Sequence, residues 1–256
     1  MHEKFGYSLL PDNTTKILKQ IDYDLLNMIS EYDILEWFIP ALIDGAVLRR
    51  CGYFSTLQNH LTKVGFIKRD RLQDLSSNKG IVGCDYVDNS PDVYLTPAAC
   101  LHFYPTLEQN PLENKIITTL ARVYRYEDGN FTAMERQWDF TVREFVAVGS
   151  VDYVKGFLND LENKIYRYAK KYFCDVSIEE ANDHFYPTRS NKLKERFQLK
   201  NNLKNELIAS NGNNKIAISS TNYHESHFSK EFHFDNNGKI VTGCIGCGLE
   251  RWLRGI

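Results

Sequence analysis

The chain has no excess of either charge. Its 31 Lys and Arg stand against 33 Asp and Glu, a formal net charge of −2. That balance speaks against a broad polyanion-gripping surface, although local basic patches are compatible with it. No uninterrupted apolar run of about 18 residues occurs, which excludes a membrane-spanning helix. The opening MHEKFGYSLLPDNTT lacks the basic-then-apolar order of a secretory signal, so a cytoplasmic location and no membrane partner are expected. There the 6 cysteines would stay mostly reduced. Scattered thiols in such a compartment are more often small buried residues than bridges, with one or two available as metal ligands. Cys244 and Cys247 make a CxxC with no second copy, which weakens a redox or zinc-knuckle reading. What is present, 256 residues with 43% apolar and 25% charged, suffices for one large domain with a sizeable core.

The stretch around which the rest is organised is ARVYRYEDGNFTAMERQWDFTVREFVAVGS, residues 121–150. An apolar run up to Tyr126, a turn around Asp128, Gly129 and Asn130, and an alternating segment from Trp138 to Val148 predict a long β-hairpin. Strand side chains repeat with period two, so Phe140, Val142 and Glu144 share one face. By the same rule Arg125 and Glu127 share a face of the partner strand. One wall would carry a guanidinium, two carboxylates and an aromatic ring, with Arg136 in the connecting loop. Such a wall suits a nucleotide.

Elsewhere the chain reads as ordinary packed structure. Residues 14–38 carry apolar side chains at helical spacing, among them Ile17, Leu18, Ile21, Leu25, Leu26, Ile29, Ile34 and Leu35, with Asn13 and Thr14 as caps. Between Phe38 and Gly65, Pro40 starts a helix and Gly52 ends one. Residues 66–92 form a polar surface excursion, and Val93–Leu95 a short strand. Cys100, taken alone, is a buried small residue. Residues 151–173 predict an amphipathic helix, with Val154, Phe157, Leu158, Leu161, Ile165, Tyr168 and Tyr172 on one side. Residues 188–205 form a basic, helix-prone segment, and Ile216–Ser220 alternates as a strand. His224 and His227 could pair on a metal, but no third ligand has matching spacing, and packed or loop histidines explain them better. Residues 243–252, GCIGCGLERW, run from strand to helix through glycines that permit close backbone approach.

RYE, a loop and then DFTVREFVAVG resemble motif 2 of the class II aminoacyl-tRNA synthetases, and GxGLER resembles motif 3. The seryl-type branch is the most similar, and within it the amino acid:[carrier protein] ligases. The resemblance covers roughly residues 40–256, with motif 1 assigned to Phe38–Gly65. It implies an α+β fold, a mostly antiparallel sheet flanked by helices, in a symmetric dimer. The expected division is an N-terminal helical segment over 1–39, packed on a catalytic domain over 40–256.

The same resemblance assigns roles. Arg125 would hold the ATP α-phosphate and Arg251 the γ-phosphate; Glu127 would contact the adenine side and Phe140 stack on the base. Arg136, Gln137 and Ser219 are further expected ATP contacts. Cys100, Glu144 and Cys244 would bind Zn²⁺, leaving a fourth position for the substrate's α-amino group. In zinc-free relatives the residue matching Glu144 binds that amine directly. Mg²⁺ would accompany ATP, yet Ala217 stands where the seryl branch has a Mg²⁺-binding Glu, leaving Glu206 or a water to take over. Ala181–Phe185 resembles an element shaping the amino-acid pocket.

The implied reaction is ATP-dependent formation of an aminoacyl adenylate from a small amino acid, glycine or alanine, followed by transfer to the phosphopantetheine thiol of a carrier protein. The basic segment 188–205 suits the acidic surface of such a carrier. Two alternatives stand beside it: an atypical seryl-type tRNA synthetase or its fragment, and a non-catalytic paralogue acting as a regulator or binding subunit. tRNA is not expected as a partner, because no separate nucleic-acid-binding domain is recognisable. Ala217 and the stop at Ile256, early in the motif 3 helix, favour the paralogue; Arg125, Glu127, Phe140 and Arg251 count against it.

Overall fold

The computed structural model of the chain describes residues 6–77, 86–87, 90–183, 187–212, 214–235 and 237–256. Nine strands are found among them: β1 Ile34–Glu36, β2 Leu42–Asp44, β3 Val93–Leu95, β4 Lys115–Tyr124, β5 Asp139–Gly149, β6 Asp175–Glu180, β7 Lys204–Ser210, β8 Lys215–Glu225 and β9 Val241–Gly248. The helices are α1 Asp12–Asn27, α2 Gly45–Arg50, α3 Tyr53–Thr56, α4 Leu72–Ser76, α5 Phe103–Gln109, α6 Val151–Ala169, α7 Arg189–Lys200, α8 His227–Glu231 and α9 Leu249–Trp252. Seven strands make one sheet in the order β1-β4-β5-β9-β8-β7-β6, and β2 pairs with β3 apart from it. Only β1 lies parallel to its neighbour β4; every other pairing in the main sheet is antiparallel.

Period-two alternation divides β5 between two cores. Phe145 and Ala147 face a layer built from α1 and α6, together with Ile245 and Cys247 of β9. Val146 and Val148 face the opposite layer, with Tyr104, Phe228, Cys100 and Cys244. Across the central strands the register aligns Thr119, Glu144, Gly246, Ser220 and Glu206 in one row on that second face. α6 buries Val154, Phe157, Leu158, Leu161, Ile165 and Tyr168 as its spacing predicts, and Ser150 caps it by accepting from the Tyr153 N–H.

The first forty residues differ from the sequence expectation. α1 stops at Asn27, and Ile34 and Leu35 leave the helical face to pair with Ile116 and Ile117 in the main sheet. Their apolar side chains are satisfied by period-two pairing rather than by helical stacking. Pro11, with φ −63° already set for a helix, occupies the N-cap position in place of Asn13 or Thr14. Pro40 starts no helix; β2 intervenes, and α2 begins at Gly45 under an Asp44 carboxylate that accepts from the Ala46 N–H at 2.7 Å. Gly52 does end that turn, with φ +74° in the left-handed region. β6 and β7 had no counterpart in the sequence reading. Residues 184–186, part of the expected pocket element, lie outside the described residues.

Candidate functional site

Three side chains distant in sequence meet on the face carried by Glu144. Cys100 comes from a 3₁₀ turn, Ala99–His102, that follows β3; Glu144 is mid-β5; Cys244 is mid-β9, paired with Val146. Their two sulfurs and one carboxylate oxygen all lie within 4.8 Å of one another, and all three residues are buried. Gly246 is directly opposite Glu144, and a Cβ there would meet Glu144 Oε2 at 2.8 Å, so only glycine leaves the carboxylate its place. Asn222 Nδ2 donates to Cys244 Sγ at 3.6 Å.

The charge state of the cluster follows from burial. Hydrogen bonding to Cys100, then burial, then the Glu144 charge push the Cys244 thiol well above its ordinary range. Burial raises Glu144, against the pull of Cys244 and of the Arg125 charge. Without a cation the group therefore keeps protons and shares them. A divalent ion would allow all three to ionise together, and two thiolates with one carboxylate fit zinc in number and softness.

Beside this cluster lie two guanidiniums. Arg125 follows β4; its Nε donates to the Pro97 carbonyl at 2.8 Å, and its guanidinium carbon lies 5.6 Å from the centroid of the Phe140 ring. Arg251, in α9, donates from Nε to Glu135 O and from Nη1 to Ala217 O, each at 2.7 Å. Burial and the nearby Arg125 charge pull Arg251 below the usual arginine range. Among the described residues neither has a carboxylate within 4.0 Å. Two desolvated cations with only carbonyl partners make a strong anion-binding element.

The remaining expected contacts sort as follows. Glu127 is not on the strand; it opens a 3₁₀ turn with φ +48° and pairs with Arg136 at 3.1 Å, so the loop rather than a strand face brings it to the site. Gln137 is buried, and its Oε1 has no hydrogen-bond partner among the described residues. Ser219 is not brought to the face that carries Glu144. Its hydroxyl lies 3.5 Å from Cys247 Sγ on the α6 side of the sheet. Leu207 pairs with Ser219 and Ile208 with Ala217, so Ile218 is bulged. That extra residue shifts the alternation and places Ser220, with Ala217, on the Glu144 face.

No protein-family model matches the chain. It is 28% identical over 222 positions to amino acid–[acyl-carrier-protein] ligase 2 of Bradyrhizobium diazoefficiens, covering 83% of this chain and 66% of that one. It is 25% identical over 275 positions to the type-2 serine–tRNA ligase of Methanococcus aeolicus, covering 94% and 50%. A crystal structure of M. kandleri SerRS in complex with A. aeolicus tRNASec superposes with a TM-score of 0.78 at 19% identity, over 98% of this chain and 53% of that one. Prolyl-tRNA synthetase from Cryptosporidium parvum gives 0.73 at 12% identity, over 98% and 48%. The chain has the class II aminoacyl-tRNA synthetase fold. It spans from half to about two thirds of the length of these relatives.

Within this synthetase-like fold, two structural residues were missed from sequence. Glu250 is buried and accepts from the Thr141 N–H at 2.9 Å and its hydroxyl at 2.8 Å, with Arg122 Nη1 at 3.3 Å, fixing α9 against β5 and so aiming Arg251. Arg143 is buried on the other face, held by Asp22 of α1 and Glu36 of β1. A charged residue at a central strand position was the available signal for Arg143. His224 is half-buried; its Nδ1 lies 3.0 Å from Thr242 Oγ1, and desolvation lowers its pKa to about 3. No described helix is long and apolar enough to cross a membrane.

Proposed function

We propose that the chain activates a small amino acid with ATP, forming an aminoacyl adenylate and pyrophosphate, and passes the aminoacyl group to the phosphopantetheine thiol of a carrier protein. The observation that carries this reading is the pair of half-buried guanidiniums, free of carboxylate partners among the described residues, beside a cluster of two thiols and a carboxylate. Relatives named amino acid–[acyl-carrier-protein] ligase support it.

Arg125 and Arg251 would hold the triphosphate and stabilise the charge that gathers on phosphate oxygens as the amino acid carboxylate attacks the α-phosphorus. Phe140 offers its ring to the base, with Glu127, Arg136 and Gln137 around it. Cys100, Glu144 and Cys244 would hold a zinc ion. When bound, such an ion supplies an electron-pair acceptor for the substrate amine and orients the amino acid. Glycine or alanine is proposed on the resemblance to ligases of small amino acids; Tyr104 packs in the same core as Cys100 and Cys244. The mixed anhydride is already activated, so thiol transfer needs positioning and no enzymatic nucleophile. Exposed Lys192, Lys194, Arg196 and Lys200 on α7 offer a basic face to an acidic carrier. Mg²⁺ would accompany ATP. A symmetric dimer through the segment around Phe38, which is 95% exposed, completes the proposal.

The second reading is charging of tRNA, favoured by the serine–tRNA ligase match over 94% of the chain. Pyrophosphate exchange across the amino acids tests activation. Exchange with one small amino acid, lost in Cys100→Ala, is the expected result; none with any amino acid would sink both readings. Offering pantetheinylated carrier and tRNA side by side then separates them by which becomes aminoacylated.

A further inference from the structure

The row across the sheet that holds Glu144 meets another carboxylate on β7, Glu206, before it ends at Glu179 of the edge strand β6, which accepts hydrogen bonds from Ser177 and Lys215. Glu206 pairs with Ser220, so the two side chains share the face that carries Glu144 and Gly246. The bulge at Ile218 brings Ala217 to that same face, and the Ala217 carbonyl holds Arg251 Nη1 at 2.7 Å. Glu206 and Glu127 are the carboxylates whose charge reaches the Arg251 guanidinium. Glu127 is committed to Arg136 at 3.1 Å. Among the described residues Glu206 has only Lys204 as an ion-pair partner, at 3.4 Å, and Lys204 sits closer to Asp183, at 2.7 Å, which Gln198 Nε2 also reaches at 2.9 Å.

A carboxylate placed this way is unfavourable for a bare polyphosphate. A triphosphate drawn in by Arg125 and Arg251 would bring its own negative charges toward Glu206 in a poorly solvated place, where like charges repel strongly. A hard divalent cation between them converts that repulsion into ligation, since carboxylate, hydroxyl and phosphate oxygens are its preferred donors. We infer that Glu206 ligates the divalent cation carried by the nucleotide, with the Ser220 hydroxyl opposite it, so that β7 supplies the acidic ligand that Ala217 on β8 does not. This inference rests on the nucleotide reading above.

The test uses the full-length chain, zinc-loaded, with a non-hydrolysable ATP analogue. Calorimetry reads analogue binding with and without Mg²⁺, and electron paramagnetic resonance reads Mn²⁺ in the ternary complex. Glu206→Gln is expected to weaken Mn²⁺ binding in the ternary complex about tenfold or more, the scale on which loss of a supporting ligand is felt. In the absence of metal the same variant should bind the analogue at least as well as the parent, because a repulsive charge is gone. That gain is something a merely structural role would not give. Adding Ala217→Glu to Glu206→Gln places a carboxylate back on the same face and should restore Mn²⁺ binding. Equal Mn²⁺ affinity in the parent and Glu206→Gln, with nucleotide binding intact, overturns this inference and leaves the proposed function standing. Loss of analogue binding in Glu206→Gln both with and without metal overturns it too. A parent chain that binds no nucleotide overturns both.

Discussion

Replacing Arg143 with methionine keeps an unbranched apolar stem in the α1-facing layer but removes its charge. The Arg143 side chain is 3% exposed and reaches Asp22 of α1 through two nitrogens, at 2.6 and 2.9 Å, and Glu36 of β1 at 2.9 Å. Burial alone would lower the guanidinium's pKa; the two carboxylates more than offset this and raise it. The carboxylates are not equivalent. Asp22 is 15% exposed and would be stranded without its partner, whereas Glu36 is 56% exposed and can turn to water. Breaking a buried pair costs about 3–5 kcal/mol, mostly for the charge left behind. With one of two carboxylates able to re-solvate, Arg143→Met should cost about 3 kcal/mol, near the lower end of that range. For a domain of this size that corresponds to a fall in melting temperature of about 6–12 °C.

Asp22→Ala strands the more deeply buried partner and should cost more, about 4–5 kcal/mol. Glu36→Ala removes a contact that is largely solvated and should cost less than about 1 kcal/mol. The double change Arg143→Met with Asp22→Ala should be milder than the sum of its parts, since neither charge is then left alone. Urea unfolding followed by circular dichroism reads all four, with an unchanged denaturant slope confirming that stability itself has moved. The reasoning is refuted if Arg143→Met unfolds within 0.5 kcal/mol of the parent (about the scatter of neutral surface changes), or if Glu36→Ala costs as much as Asp22→Ala.

The remaining predictions concern the site. Arg125→Ala should abolish analogue binding and pyrophosphate exchange while metal content by mass spectrometry stays that of the parent; metal loss in that variant would contradict the separate roles given to the arginine and the cluster. Cys244→Ser should bind zinc at least tenfold more weakly, in competition with a chromophoric chelator, because a hydroxyl ionises far less readily than a thiol. His102 and His224 are held neutral by burial, with pKa values lowered to about 4 and about 3, so the unfolded chain takes up protons near pH 6.5 that the folded chain refuses. Stability should therefore fall as pH drops from about 7.5 to 5.5, by roughly 2–3 kcal/mol for the two rings together. A flat urea midpoint over that interval would show that these rings are protonated in place.

How far the chain could be read depended on the regularity of its backbone. The β4–β5 hairpin, α6 and the strand-to-helix passage into α9 were legible because their apolar spacing is unbroken over ten residues or more and their turns carry glycine or a capping serine. The meeting of Cys100, Glu144 and Cys244 was not legible from any spacing, since 44 and 100 residues separate them (144 − 100 and 244 − 144); it entered only through resemblance. β6 was hidden by its composition. DVSIEE carries only two alternating apolar positions, Val176 and Ile178, and Ile178 is exposed at the edge of the sheet.

The errors at the site share one cause. Period-two reading assigned Glu127 to a strand face, but β4 ends at Tyr124 and Tyr126 has already turned to φ −69°, ψ −36°. The same reading would set Ala217 and Ser219 on one side of β8, yet the unpaired Ile218 makes Ala217 and Ser220 the matching pair. A bulge is invisible in side-chain chemistry when its residue is itself apolar, as Ile218 is, and buried in the core below. One inserted position thus decides which serine faces the nucleotide side and brings Glu206 opposite Ser220 rather than Ser219. If Ile218 were deleted, β8 would regain regular alternation with its partners unchanged, Ala217 opposite Ile208, Ser219 opposite Leu207 and Ser220 opposite Glu206, so only the local bend of the strand would go. Loss of nucleotide binding in that deletion, with Cys100, Glu144 and Cys244 still binding zinc, would tie the backbone path of the bulge, and with it the Ala217 carbonyl that holds Arg251, to the phosphate half of the site; unchanged nucleotide binding would show that the register alone suffices.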